Sequence, residues 1–337
     1  MNWQKDQPVT GADNLFAPGD IVQLTDPKGR HHTIILEPGK RFHTHKGVLV
    51  HDQLIGQPNG SVVATDKDVD YLALRPRLAD FVLSMPRGAA IIYPQDAAEI
   101  VYRADIAPGH LVVEAGVGSG ALTLWLLRAL APDGQLVSIE RRSEFAEVAS
   151  GNVSTFYPGG TPASWTLEVG EFVDRAAAMP AHSVDRVILD MLAPWECLDE
   201  AWRILAPGGI LLTYVATVTQ LSRVAEALKN HGGFTPAEAT ESLVRGWHLD
   251  GLAVRPDHRM IGHTGFLAWA RTLADGHTMP RSLTKKVKPD YHPDDVELWT
   301  PGALGLRQET DKKMRDLSKE ATKRSRSVSG DSSVSSP

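Results

Sequence analysis

The stretch VVEAGVGSGALTLWLL, Val112 to Leu127, constrains the fold of this chain more than any other. An apolar run of strand composition ends on three alternating glycines and passes straight into an apolar helix pattern. A strand–turn–helix unit accommodates that order, because glycine permits positive φ and a close backbone approach. Such a turn offers free helix N–H groups to a ligand, and it usually serves a nucleotide-like cofactor. Its spacing, Gly116, Gly118 and Gly120, reads G-x-G-x-G, whereas a dinucleotide fold shows G-x-G-x-x-G.

Around this turn, strand and helix patterns alternate from about 76 to 279. LVVEAG, QLVSIE, WTLEVG, VDRVILDM, GILLTYVA and GFLAWARTL read as strands, and GALTLWLLRAL, SEFAEVASGNVSTFY, WECLDEAWRIL and TQLSRVAEALKNHG as helices. Alternation of this kind predicts an α/β fold, a doubly wound sheet with its ligand sites at the carboxyl ends of the strands. Residues 1–75 differ. DIVQL, HHTIIL, GVLVHDQLIG and GSVVAT are short β-like runs broken by Gly, Pro and Asn, which predicts a small all-β domain of hairpins. Residues 280–337 end in the Ser-rich SRSVSGDSSVSSP and are expected to form a largely disordered tail, with room for a short helix before it.

Two acids flank the turn. Glu114 precedes it, and Glu140 ends the next strand, where it can take both hydroxyls of a ribose. Downstream, ILAPGGILLTYV (Ile204 to Val215) carries the L-x-P-G-G-x-L pattern typical of Rossmann-like class I methyltransferases that use S-adenosylmethionine. With E-x-G-x-G-x-G at the right distance, the pair resembles that class, which implies seven strands with the last antiparallel. In this reading the glycine face takes the methionine end, and Gly170-Glu171 after the third strand reaches the adenine edge. Phe145 flanks the adenine or is plain helix core, and Glu171 competes with a solvated loop acid. Asp190 closes the apolar strand of ILDMLAPW, poor company for a charge without a partner, so a functional role is expected there.

Several separate segments then agree in order and spacing with one family. They are LDMLAPW around Asp190, IIYPQDAAEIV (Ile91 to Val101), VATVTQLSRVAEAL (Val215 to Leu228) and RGWHLDGLAVRPDHRMIGHTGFL (Arg245 to Leu267). Together with GKRFHTHKG and HDQLIGQPNGSVV they make the chain, up to about residue 273, resemble the tRNA (adenine-58-N1)-methyltransferases in their actinobacterial form. The resemblance implies methyl transfer from S-adenosylmethionine to N1 of adenine 58 in the tRNA T loop, by a homotetramer that grips tRNA with several subunits. It implies that Asp190 is the active-site aspartate and that Tyr93 lines the substrate pocket beside the flipped base. Cofactor contacts fall on Glu114, Gly116, Gly118, Ser119, Gly120, Ala121, Leu122, Glu140, Phe145, Gly170, Glu171 and Asp190. The chain departs from the pattern at Gln95, where relatives carry Lys, and at Gly170-Glu171, where they often carry Ser-Asp.

Some roles stay open between function and structure. Tyr93 either sandwiches the base or packs its hydroxyl under the cofactor. His263-Thr264 either reaches the pocket or is structural. The cluster Lys40, Arg41, His43, His45 and Lys46 either meets the RNA backbone or is a solvated loop.

Composition narrows the remaining classes. With 42% hydrophobic and 23% charged residues the chain matches an ordinary globular protein, and no apolar run approaches the ~20 residues that span a bilayer. The N-terminus lacks a secretory pattern, and a single cysteine, Cys197, cannot form an internal disulfide, so a cytoplasmic setting without membrane contact is expected. Cys197 is expected to pack rather than react. The formal charge of −6 gives no general support for a nucleic-acid partner, which leaves local basic patches to do that work. The rivals are a methyltransferase of the same fold acting on a protein or small molecule, a nonenzymatic RNA-binding protein, and a dehydrogenase.

Overall fold

A computed structural model describes residues 14–280, apart from 89 and 158, and residues 311–329. Two compact units form. One gathers the chain up to Pro86, Gly151–Pro162 and the chain from Ser318, and the other gathers Arg87–Ser150 and Ala163–Leu317.

In the first unit β1 (Ile21–Thr25) pairs antiparallel with β2 (His31–Ile35) and with β6 (Asp70–Leu74), which pairs in turn with β5 (Val62–Ala64). The β3 (Arg41–Thr44) and β4 (Gly47–Val50) strands form a separate hairpin. Alternation puts Val22, Leu24, Tyr71 and Ala73 inward, where they close a core with Phe16, Leu36, Leu49 and Leu54. The turn between β1 and β2 is built on Asp26. Its carboxylate accepts from the Lys28 and Arg30 amides at 2.8 and 3.0 Å, and from Arg30 Nε and Lys46 Nζ at 2.9 and 3.0 Å. Burial pushes this acid up, but those donors overrule it and hold it well below the usual carboxylate range. The unit is not purely β, since α1 (Leu78–Ser84) belongs to it, with Phe81 stacked 5.0 Å from Phe156.

The second unit is a seven-stranded sheet. Its elements, after α2 (Pro94–Arg103), are β7 (Leu111–Ala115), α3 (Ala121–Leu130), β8 (Gln135–Glu140), α4 (Ser143–Phe156), β9 (Trp165–Val169), α5 (Phe172–Ala177) and β10 (Val184–Asp190). There follow α6 (Leu198–Ile204), β11 (Leu205–Val215), α7 (Val218–His231), β12 (Glu238–Glu241), the hairpin β13 (Trp247–Asp250) and β14 (Ala253–Pro256), and β15 (Phe266–Arg271). The order across the sheet is β12-β15-β11-β10-β7-β8-β9. From β9 to β11 all pairs are parallel; β15 runs antiparallel to both its neighbours. The central strands are covered on both faces, so β7 and β10 read as continuous apolar runs. The order reverses between β7 and β10, and that switch point opens a crevice at the carboxyl edge.

The chain end expected to be largely disordered holds a 19-residue helix, α8 (Asp311–Ser329). It is longer than the short helix the sequence allowed and takes in the whole SRSVS run at its end. The rest of the tail, 281–310 and 330–337, lies outside the described residues.

Candidate active site

The glycine turn is fixed by contacts that no side chain could share. Gly116 has φ +89°, and a Cβ there would lie 1.7 Å from the Asp190 carbonyl oxygen. The first glycine therefore lets the turn press directly on the end of β10. Gly120, with φ +80°, is the N-cap of α3, and its missing Cβ lets the helix start against Ala149. Gly118 has φ +56° but nothing within 4 Å of an added Cβ, so its backbone angle alone requires glycine. Ser119, Ala121 and Leu122 are buried at the helix start. The amides of Ala121 and Leu122 belong to the first turn of α3, whose N–H groups lack intrahelical partners.

Three carboxylates surround this turn. Glu140 Oε2 accepts from the Gly118 amide at 2.9 Å, and Oε1 accepts from the Arg142 amide at 3.0 Å. Glu114 is buried, with Oε2 accepting from Thr123 Oγ1 at 2.8 Å and Ser138 Oγ at 2.7 Å, while Oε1 completes no hydrogen bond. Desolvation lifts Glu114 to about 7, against the pull of Ser138 and Thr123 and with help from the Glu140 charge. Asp190 is half-buried by accessible area, yet its carboxyl is lifted to about 7 by desolvation and then by Glu114 and Glu140. Among the described residues no hydrogen bond or ion pair holds that carboxyl. Glu114 and Glu140 thus both work against ionisation of Asp190.

The adenine side is more closed than the sequence implied. Phe145 is buried, and the Arg142 guanidinium lies 3.7 Å above its ring. A base reaches that ring face only where Arg142 gives way, so the position serves the core as it stands. Gly170 leaves room for Arg175, whose Nε donates to the Val169 carbonyl at 3.1 Å. Glu171 is exposed at the start of α5, 3.8 Å from Arg141 Nε.

A second group of polar side chains gathers on the other side of Asp190. Tyr93 is the N-cap residue of α2, with Pro94 in the first helical position, where its missing N–H costs nothing. One turn in, Asp96 is buried and faces Thr264 and His263, but neither of its oxygens nor the Thr264 hydroxyl completes a hydrogen bond. Burial raises Asp96 above the usual carboxylate range, and Thr264 and His263 only moderate it. Tyr214 pairs with Asp190 across β10 and β11. Desolvation and the charges of Asp96 and Asp190 push its phenol up, which keeps it neutral. Gly265 makes space for that ring, since a Cβ there would lie 2.3 Å from Tyr214 Cζ. The loop after Asp190 is held by α7, where Gln220 Nε2 donates to the Leu192 carbonyl at 2.9 Å and Gln220 Oε1 accepts from the Thr217 amide at 3.1 Å.

Comparison with known proteins now decides the family. Residues 15–63 match the TrmI-like N-terminal family, and residues 69–251 match the tRNA methyltransferase complex GCD14 subunit family. TrmI of Thermus thermophilus, a tRNA (adenine(58)-N(1))-methyltransferase, is 34% identical over 257 residues, 75% of this chain and 97% of that protein. The chain belongs to the tRNA (adenine(58)-N(1))-methyltransferase family. Among solved structures, the tRNA methyltransferase TrmI of Aquifex aeolicus shares 25% identity at a TM-score of 0.68, over 77% of this chain and 99% of that one. A protein described as a SAM-dependent O-methyltransferase, from Thermotoga maritima, shares 28% identity at 0.74, over 80% and 99%.

Asp96, Tyr214, Gly265 and Gln220 also gather around Asp190 and the loop after it, and the sequence alone does not single them out. Each looks like ordinary helix, strand or loop until the sheet brings the segments together. His263, whose role is open in the sequence, lies beside Asp96, its Nε2 2.9 Å from the Ala216 carbonyl and its Nδ1 3.3 Å from Glu241. In the basic N-terminal cluster, Lys46 is tied to Asp26 and Lys40 to Glu37, while Arg41 and His43 are exposed. Cys197 is buried and its thiol is pushed up to about 12 by desolvation, so it packs and does not react.

Proposed function

We propose that this chain transfers the methyl group of S-adenosylmethionine to N1 of adenine 58 in the T loop of tRNA. The observation that carries the reading is the placing of three carboxylates, Glu114, Glu140 and Asp190, around the glycine turn. A pyrophosphate would be repelled there, whereas a ligand bearing a sulfonium and an ammonium relieves the repulsion. When bound, that cofactor supplies a methyl group carrying electrophilic character on a positive sulfur. Glu140 would hold the ribose, the amides of Ala121 and Leu122 at the start of α3 would meet the polar methionine end, and Gly170-Glu171 would meet the adenine edge.

The base that receives the methyl keeps an in-plane lone pair at N1, so no side chain has to remove a proton first. The N–C bond forms as the S–C bond breaks, and the adenine becomes cationic. Asp190 accepts from the exocyclic amine and stabilises that charge; the cofactor's own charge nearby draws its carboxyl back to the ionised form. Tyr93 and the neutral phenol of Tyr214 flank the base once it has left its stack. Positioning supplies the remainder of the rate.

The same reading extends to assembly and place. The family resemblance implies a homotetramer, and the segment 242–265 supports one. It exposes Leu243, Val244, Trp247, Leu249, Leu252, Val254, Met260 and Ile261, more apolar surface than a monomer leaves to water. No helix among the described residues is long and apolar enough to cross a membrane, in keeping with a cytoplasmic enzyme acting on tRNA. A protein or small-molecule substrate is the second reading, favoured by the Thermotoga maritima structure alone. One experiment separates them: methyl transfer from labelled S-adenosylmethionine to unmodified tRNA, against a transcript with guanine at position 58. Label recovered as 1-methyladenosine from the first and absent from the second is the expected result. Cofactor binding without any labelling of tRNA would overturn the substrate.

A further inference from the structure

Helix α8 carries a pattern that the methyl-transfer site does not use. Met314 is buried, and with Leu317 it closes over Gly88 and Phe145, where a Cβ on Gly88 would come within 2.8 Å of the Met314 sulfur and 3.0 Å of Leu317. This packing fixes which side of the helix faces the protein. At 100° per residue, Lys312, Arg315, Lys319 and Lys323 fall together on the side turned away from Met314 and Leu317. All four are exposed. Spacing of three, four and four residues draws them into one stripe about 16 Å long. Of the neighbouring acids, Asp316 and Glu320 lie at the edge of the stripe and not along it.

The stripe does not end on the helix. Lys323 and Glu320 line a cavity of about 400 Å³ whose other walls include Lys40, Arg41, Phe42 and His43 of the β3 edge. Lys40 is tied to Glu37, which leaves the exposed Arg41 and His43 facing the same space as Lys323. Two segments from opposite ends of the sequence therefore present cations to one concave surface within the first unit. A row of cations on a rigid helix, continued into an aromatic and basic hairpin edge, is complementary to a chain of phosphates. The overall charge of −6 makes so local a concentration more telling.

We propose that the part of α8 that belongs to the first unit, through Lys319 and Lys323, and the β3 edge, through Arg41 and His43, bind the phosphate backbone of the tRNA substrate. The proposal rests on the tRNA reading above and adds a binding surface outside the methyltransferase core. Phosphate contacts position an RNA without reading its sequence, so the helix contributes affinity and orientation while the choice of adenine stays with the pocket.

The test replaces the two helix cations together, Lys319→Gln and Lys323→Gln, in the full chain. Gln retains helix propensity, and far-ultraviolet circular dichroism checks that α8 persists. Affinity for unmodified tRNA is measured across salt concentration beside the wild type. The expected result is binding weaker by about 10–100-fold at low salt, with the slope of log K against log salt shallower by roughly 0.7–0.9 for each phosphate no longer neutralised. In turnover the deficit falls on KM for tRNA and not on kcat. Arg41→Gln alone is expected to weaken binding in the same direction by a smaller factor. Wild-type methylation of tRNA with an unchanged affinity and salt slope in the double variant would overturn the role of the helix alone. A wild type that neither binds nor methylates tRNA would overturn the substrate reading and this one with it. Unchanged tRNA binding with abolished adhesion to phosphatidylserine vesicles would assign the stripe to a membrane surface instead.

Discussion

The two sides of Asp190 are built differently. On the cofactor side the polar groups are largely satisfied before anything binds. Glu140 holds two backbone amides, and Glu114 holds two hydroxyls. On the substrate side Asp96 and Thr264 are buried without completed hydrogen bonds, and Tyr214 is kept neutral by burial and nearby acids. A buried polar atom without a partner costs about 1–3 kcal/mol, so the second side carries the larger deficit. Glu114 Oε1 apart, the side of the glycine turn is a scaffold already tied together.

The largest effect is expected where the two sides touch. Gly116→Ala forces a methyl group into the Asp190 carbonyl, and the displacement should cost cofactor affinity and turnover on the order of 10²-fold or more, read by calorimetry and by methyl transfer. Ordinary cofactor binding in that variant would break the picture of a rigid scaffold. Asp190→Asn keeps the shape and removes the charge; kcat should fall by roughly 10²–10³. Near-normal turnover there would refute an electrostatic role for the carboxylate.

Glu140→Gln should act on the cofactor side alone, raising the Kd for S-adenosylmethionine by about 10-fold. Tyr214→Phe should do the converse, lowering kcat/KM for tRNA several-fold while the cofactor Kd holds, since a neutral hydrogen bond is worth about 1 kcal/mol. Both variants shifting the same constant would erase the distinction between the sides.

The smallest effect is on stability. Glu114 and Asp190 bind protons more tightly folded than unfolded, because both are lifted to about 7. Their contribution is therefore full below about pH 4 and lost as pH rises through about 7. In the unliganded protein, Asp190→Asn should remove part of that loss and gain on the order of 1–2 kcal/mol at pH 8 relative to pH 5. Denaturant unfolding at the two pH values measures it. Saturating cofactor should abolish the difference by countering the charge.

Much of this architecture is legible in the sequence, and the limits have physical reasons. Continuous apolar runs such as LVVEA and VILD announce central parallel strands, because both their faces are covered. The strand EATE, β12, carries no such signal: it is a short, mostly exposed edge strand, paired on one side only with β15. Helix α8 is hidden by composition, since serines and charges near the end mask four cations and two apolar residues in helical register. At the site, Gly116, Glu140 and Asp190 stand at turn and strand ends where chemistry is expected. Asp96 and Tyr214 do not, and only the sheet register sets Tyr214 beside Asp190. Phe145 stays open in the sequence between helix core and ligand contact, because helix position cannot tell that Arg142 lies on its ring.

The reversed direction of β15 has a consequence for how such a protein can diversify. Because β15 opposes its neighbours, it begins at the edge where β11 and β12 end. Segment 242–265 therefore leaves the sheet at that edge and returns to it, delivering His263, Thr264 and Gly265 on the way back. An insertion, deletion or new surface in this excursion changes the apolar side chains it exposes and moves no residue of the glycine turn. The turn and the excursion are in this way written on separable lengths of chain, and one can be edited while the other is preserved.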